Sequence, residues 1–239
     1  MNIINRIDDF FRYHLQQVIQ RVFPPRDCGV FVFHEVVDDL DRAIIKEYAI
    51  RTNEFIDFID GLRDKNVEFG RFDADNLECR KVYVTFDDGF ESLLYSAIPI
   101  LEERKINYLV FIPISFIGKK GYLTKKQLLN VNNMPNAMVG GHAHEHCVIH
   151  RLDNKRIYEE VVASKTELED VLKTNVEYFA FPYGSLNAVG GAGIRSAKKA
   201  GYKYAFSTLC VNNKLFFGRY FYPRITVTST NYLQILNRF

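Results

Sequence analysis

Two aspartates stand side by side in the segment Thr85-Phe86-Asp87-Asp88-Gly89, directly after an apolar run. Like charges this close raise one of the two pKa values unless a cation compensates. A divalent metal resolves the conflict, taking one carboxylate as ligand and leaving the other as a base beside it. An Asx turn, in which Asp-Asp-Gly only reverses the chain, is the plain alternative. A second segment, Gly140-Gly141-His142-Ala143-His144-Glu145-His146-Cys147-Val148-Ile149-His150, holds four of the six histidines. Residues four apart share one side of a helical turn, so the spacing predicts that His142 and His146 converge on one ion while His144 points elsewhere. His150 falls on the same nominal face and is the alternative ligand. Two imidazoles and one carboxylate with open positions make the ligand set of a catalytic metal rather than a closed structural one. A third segment, Phe181-Pro182-Tyr183-Gly184, ends another apolar run. Its Pro and Gly can aim a main-chain N–H into a site, or simply turn the chain.

Such groups need a scaffold to bring them together. The 239 residues, 47% hydrophobic and 25% charged, have the balance of one soluble globular domain. Lys and Arg number 31 against 29 for Asp and Glu, which leaves no strong field to draw nucleic acid. Tyr and Phe are plentiful while Trp is absent; such aromatics fill cores first and line sugar sites second. Cys28, Cys79, Cys147 and Cys210 are far apart and form no CxxC pair, as expected of reduced thiols. The first residues are interrupted by Arg6, Asp8, Asp9 and Arg12, unlike the apolar core of a signal peptide, and no run approaches a membrane span. The expected location is cytoplasmic.

Ile4, Ile7, Phe11, Leu15, Val18 and Val22 recur at helical spacing, which predicts an N-terminal amphipathic helix over 1–25, ended by Pro24 and Pro25. With few basic residues on its polar face, its apolar stripe is expected to pack on the protein body, and peripheral membrane contact is the alternative. Over 26–239 the chain alternates short apolar runs with helical stretches. Strands are expected at 30–33, 82–86, 108–114, 137–141, 178–182, 204–208 and 225–227, with helices beginning near Thr52, Ser92, Thr124, Asp153 and Ala192. The polar stretch 63–80 reads as a surface connection. Strands alternating with helices imply βα units and a parallel sheet or barrel, whose chemistry sits at the C-terminal strand ends. The three segments singled out above all stand at such ends.

Taken in order, these segments resemble the polysaccharide deacetylase family, the NodB-homology domain of carbohydrate esterase family four. Thr-Phe-Asp-Asp-Gly matches its first motif, the His142–His146 pair matches the spacing of the second, and Phe181-Pro182-Tyr183-Gly184 is similar to the third. Weaker similarity runs from about Val30 to Val227, including Phe33-His34 and Tyr122-Leu123-Thr124. The resemblance implies a distorted (β/α)7-type, TIM-like barrel of the α/β class that hydrolyses acetyl groups, N-acetyl before O-acetyl, on a polysaccharide, oligosaccharide or glycan precursor. It implies that Asp88, His142 and His146 bind a divalent ion, zinc first and cobalt, nickel, manganese or iron as alternatives. Asp87 would be the base, and the main-chain N–H of Tyr183 would help hold the oxyanion.

The chain also departs from the family pattern. Ala143 stands where members often have Ser or Thr, and Ala180 replaces the Arg that opens the third motif and orients the base. Arg224, in Tyr222-Pro223-Arg224-Ile225, is the candidate substitute. No histidine follows His150, so the late histidine that supplies the general acid in many relatives is missing, and His34 and His144 are the candidates to replace it. Two other readings compete: hydrolysis of a C–N bond in a non-sugar amide, and a non-catalytic carbohydrate-binding relative.

Overall fold

The computed structural model describes residues 3–23, 29–72, 81–211 and 218–239, with the side chains of its first helix from residue 11 onward. Its elements are α1 (Ile3–Val22), β1 (Gly29–Phe33), β2 (Val36–Val37), β3 (Ile50–Arg51), α2 (Thr52–Asp64), β4 (Glu68–Phe69), β5 (Lys81–Phe86), α3 (Ala97–Glu103), β6 (Tyr108–Ile112), α4 (Lys125–Asn132) and β7 (Ala137–Gly141). There follow α5 (Asn154–Tyr158), a π-helical turn (Glu159–Ala163), α6 (Ser164–Leu172), β8 (Tyr178–Ala180), α7 (Leu186–Lys199), β9 (Tyr204–Phe206), β10 (Arg224–Thr226) and α8 (Tyr232–Leu236).

Seven strands form one path, β10-β1-β5-β6-β7-β8-β9, in which every ladder is parallel. The path nearly closes, because Phe206 at the end of β9 bridges Tyr222 and the Ser207 N–H donates to the Tyr222 carbonyl at 2.8 Å. This is the barrel of seven strands with an N-terminal helix that the sequence predicts. Most of its strand residues are apolar because both faces of the strands are covered. Successive strand residues face opposite ways. Phe31, Phe33, Val82, Val84 and Phe86 pack in an outer layer with helix residues such as Phe55, Phe58 and Leu101. Val30, Tyr83, Leu109, Phe111, Tyr178 and Phe206 belong to a second cluster that fills the barrel. The inward register of β5 therefore runs Tyr83, Thr85, Asp87, and delivers a carboxylate to the barrel mouth.

Three local expectations change. The stretch 63–80 is not wholly a connection, since β4 pairs with Lys81 and Val82 at the start of β5, on the edge that β6 takes up only from Val84. The helix expected from Ala192 begins at Leu186, because the Ser185 hydroxyl accepts from the Ala188 N–H and caps an earlier start. The stretch from Ser92 splits into a 3-10 turn, Glu91–Leu94, and α3.

The largest correction concerns α1. Its apolar stripe does not pack on the body: Phe11, Leu15, Val18 and Val22 are 54–66% exposed. The opposite flank docks instead, where Gln16 Oε1 accepts from the Leu186 N–H at 3.1 Å and Ile19 packs against the core. An orphan amide at the start of α7 needs an acceptor, and a glutamine on the polar flank supplies it. Ile4, Ile7, Pro24 and Pro25 lie outside the described side chains or residues, as do Cys28 and Cys79, while Cys147 and Cys210 are free thiols. Among the described residues no helix is long and apolar enough to cross a membrane.

Gly140 tests the packing beneath the site. A Cβ there would stand 2.6 Å from the Phe111 ring and 2.9 Å from the Tyr178 carbonyl oxygen. Gly140→Ala should therefore lower stability by about 1–3 kcal/mol, read as a lower urea midpoint at unchanged slope.

Candidate active site

Asp87 and Asp88 are both 2% exposed at the barrel mouth. Asp87 is gripped by Arg224, whose Nη1 and Nη2 donate to Oδ1 and Oδ2 at 2.7 Å each. Arg224 is itself fully buried on β10, with Nε donating to the Ser207 carbonyl at 3.0 Å and Nη1 to Thr85 Oγ1 at 3.1 Å. Its guanidinium also lies 5.3 Å from the Phe111 ring centroid and 5.9 Å from that of Phe206. Burial alone would raise the Asp87 carboxyl, but the Arg224 charge, helped by His142, outweighs it and holds the group well below the usual carboxylate range. Asp88 has no such partner. Burial and then the charge of Asp87 push it up to about 8.

Two imidazoles face the unpaired oxygen. Asp88 Oδ1 is buried without a hydrogen bond, 3.6 Å from His142 Nε2 and 3.2 Å from His146 Nε2. The ligand atoms of Asp88, His142 and His146 all lie within 4.8 Å of one another, and among the described residues no other such group occurs. Ligands about 2.1 Å from a tetrahedral ion stand about 3.4 Å apart, so the spacing suits a divalent cation. The histidines are in the right state to bind one. His142 Nδ1–H donates to the Ala180 carbonyl at 2.7 Å, which leaves the Nε2 lone pair aimed at Asp88. Burial lowers His142 to about 3 and also lowers His146, so both rings are neutral at pH 7.

The convergence does not come from a helical turn. Residues 142–148 form an irregular loop, in which Ala143 and His146 take positive φ, 65° and 53°. Asp88 and Tyr183 do the same at 69° and 60°. Such backbone is costly for non-glycine residues and persists where the surroundings over-determine it.

The other sequence candidates divide. Tyr183 lies on the rim, its ring centroid 4.9 Å from that of His146, and among the described residues its main-chain N–H donates to no other group. His34 follows β1, packs 4.9 Å from the Tyr48 ring and feels the charge of Asp87. Its Nδ1 is buried without a partner, and burial lowers its pKa to about 4. His144 is not brought to the centre: its Nε2 lies 3.3 Å from Glu167. His150 is also outside the cluster, on a 3-10 turn against Gly190. Sequence reasoning missed two buried acids. Glu35 accepts from the Ile45 N–H at 2.9 Å and adds to the rise of Asp88, while fully buried Glu160 accepts from the His144 and Glu145 N–H groups. Adjacency to His34 was the only signal for Glu35, and nothing local marked Glu160.

Comparison with known proteins gives a consistent picture. The family model described as polysaccharide deacetylase matches residues 74–205. The chain is 25% identical over 226 residues to poly-beta-1,6-N-acetyl-D-glucosamine N-deacetylase of Staphylococcus aureus, covering 81% of this chain and 73% of that protein. Among solved structures, IcaB from Ammonifex degensii superposes with a TM-score of 0.75 at 23% identity, over 90% of this chain and 97% of that one. A de-N-acetylase from Aggregatibacter actinomycetemcomitans does so with a TM-score of 0.71 at 16% identity, over 87% and 99%.

The Asp88 carboxyl sets a pH dependence. Without metal the folded state holds a proton there between the ordinary value of 3.8 and about 8, so stability falls as pH rises through that window. A cation that replaces the proton should bind about tenfold more tightly per pH unit up to about pH 8 and level off above it. Calorimetry in buffers of different ionisation enthalpy should count about one proton released at pH 6 and about none at pH 9. A flat affinity from pH 6 to 8 contradicts this assignment.

Proposed function

Because the chain belongs to the polysaccharide deacetylase family, we propose that it removes N-acetyl groups from a polymer of N-acetylated hexosamine units, the substrate class named for its Staphylococcus aureus relative. One observation carries the proposal: a carboxylate held ionised by a two-pronged arginine stands 3.8 Å from His142 Nε2, beside the Asp88–His142–His146 cluster. Asp88, His142 and His146 would hold the metal, zinc before the other divalent ions. When bound, the ion would supply Lewis-acid chemistry, which would let a carboxylate as weakly basic as Asp87 take the proton of water.

Asp87 accepts the proton of the attacking water, and Arg224 fixes the direction of its lone pairs. Tyr183, exposed between the buried Pro182 and Gly184, offers its main-chain N–H to the developing oxyanion. His34 is better placed than His144 to protonate the leaving amine. It is neutral at pH 7, so it would first take up a proton released at the centre, and the Asp87 charge favours that imidazolium.

The outward stripe of α1 supports a second element of the reading, peripheral contact with an anionic membrane. Phe11, Leu15, Val18 and Val22 are presented to the outside with Arg21 exposed on the same helix. An outward apolar stripe with a cation on the same helix suits the headgroup boundary.

Acetate release from N-acetylglucosamine oligomers tests the activity. Asp87→Asn should lower turnover roughly 10²–10⁴-fold with metal content unchanged, and Arg224→Ala should lower kcat more than it raises KM. An unchanged rate in Asp87→Asn would remove that residue from the mechanism. For the membrane contact, the protein should sediment with phosphatidylglycerol vesicles, and Leu15→Gln should weaken that binding about tenfold; equal sedimentation of the two proteins counts against it.

A further inference from the structure

The loop carrying His146 has no helix or strand to hold it, and it includes the two strained residues Ala143 and His146. It is clamped from two sides. On one side the N–H groups of Ile114 and Ser115 donate to the carbonyls of Ala143 and His144 at 3.2 and 2.9 Å. On the other side stands a single carboxylate. Glu160 Oε2 accepts from the N–H groups of His144 and Glu145 at 2.9 Å each, and the Cys147 thiol hydrogen-bonds to the same side chain. Its Oε1 accepts from Arg156 Nη2 at 3.1 Å.

Glu160 reaches the loop from within the π-helical turn Glu159–Ala163, where it is fully buried beside Val161. Such turns add one residue to a helix, redirect a side chain, and concentrate at functional sites. A buried carboxylate is expensive unless its lone pairs are satisfied. Here three groups of the loop and one arginine satisfy it. His142 does not depend on this clamp, because its N–H donates to the Ile112 carbonyl at 3.0 Å and its Nδ1 is fixed by Ala180. Among the described residues the His146 ring is tied only to its own backbone, by a hydrogen bond, and packed by the rings of Phe116, His142 and Tyr183, so its position follows that of the loop main chain.

We propose that Glu160 is a positioning residue: through the main chain of residues 144–147 it holds His146 Nε2 against Asp88, and so sets the affinity of the site for a divalent cation. The inference rests on reading Asp88, His142 and His146 as the metal ligands, and adds a residue that touches neither metal nor substrate. Losing the clamp should turn a site of three ligands into one of two.

The test measures zinc affinity by competition with a chromophoric chelator, for the wild type, Glu160→Met, Glu160→Gln, His146→Ala and the double variant Glu160→Met/His146→Ala. Glu160→Met keeps the volume without an acceptor and should bind zinc about 10–100-fold more weakly. Glu160→Gln, which keeps one acceptor oxygen, should recover most of that loss. The double variant should bind no more weakly than His146→Ala alone, since both changes remove the same ligand. Wild-type affinity in a folded Glu160→Met protein overturns the inference even if its melting temperature falls. Equal affinity in the wild type and His146→Ala instead overturns the ligand reading beneath it. Should Glu160→Met not fold, amide exchange in the wild type decides: zinc should slow exchange at His144 and Glu145, and unchanged rates overturn the proposal.

Discussion

The site is organised by how one guanidinium is divided between two carboxylates. Arg224 has a single fork, and both prongs are committed to Asp87. That pair is fully desolvated, and breaking such a pair by removing one member costs about 3–5 kcal/mol. Asp88 is left one residue away with its charge unanswered, so a proton or a cation must supply what the protein does not. The asymmetry is what the proposed division of roles rests on. On the reading proposed above, the aspartate that rests ionised is the one to accept a proton, and the other is the one to exchange its proton for a metal.

Holding this arrangement takes strain. Of the seven described non-glycine residues with positive φ, four belong to the site: Asp88, Ala143, His146 and Tyr183. They sit on loops after three different strands, β5, β7 and β8, whose register the barrel fixes from below. The aromatic filling of the barrel and the apolar layer beneath the helices make those strand ends unable to drift. A loose scaffold would let each loop relax and the ligand atoms separate.

Much of this was readable in the sequence, for physical reasons that differ from one element to the next. Runs such as AMVGG become strands because nothing in them could face water, and β7 spans those five residues and no others. Arg224 could be singled out only through the family resemblance, which calls for an arginine to orient the base and finds Ala180 in its usual place. His142 and His146 were identified through a helical spacing that the chain does not adopt; an irregular loop brings them together instead. The direction of α1 was beyond reach, since periodicity reveals which residues share a face but not what the face meets. Glu160 was equally hidden, because its reach to the loop depends on a π turn that no local pattern announces.

The origin of the arginine carries a consequence for kinship. The family resemblance leads one to expect it in the third motif, where this chain has Ala180 on β8, yet here the guanidinium arrives from β10, on a different wall of the same cylinder. Every wall of a closed barrel borders one shared axis, so a charge can migrate between staves while its destination stays put. A motif that demands the arginine beside the third segment would miss it here, whereas asking what meets the aspartate finds it.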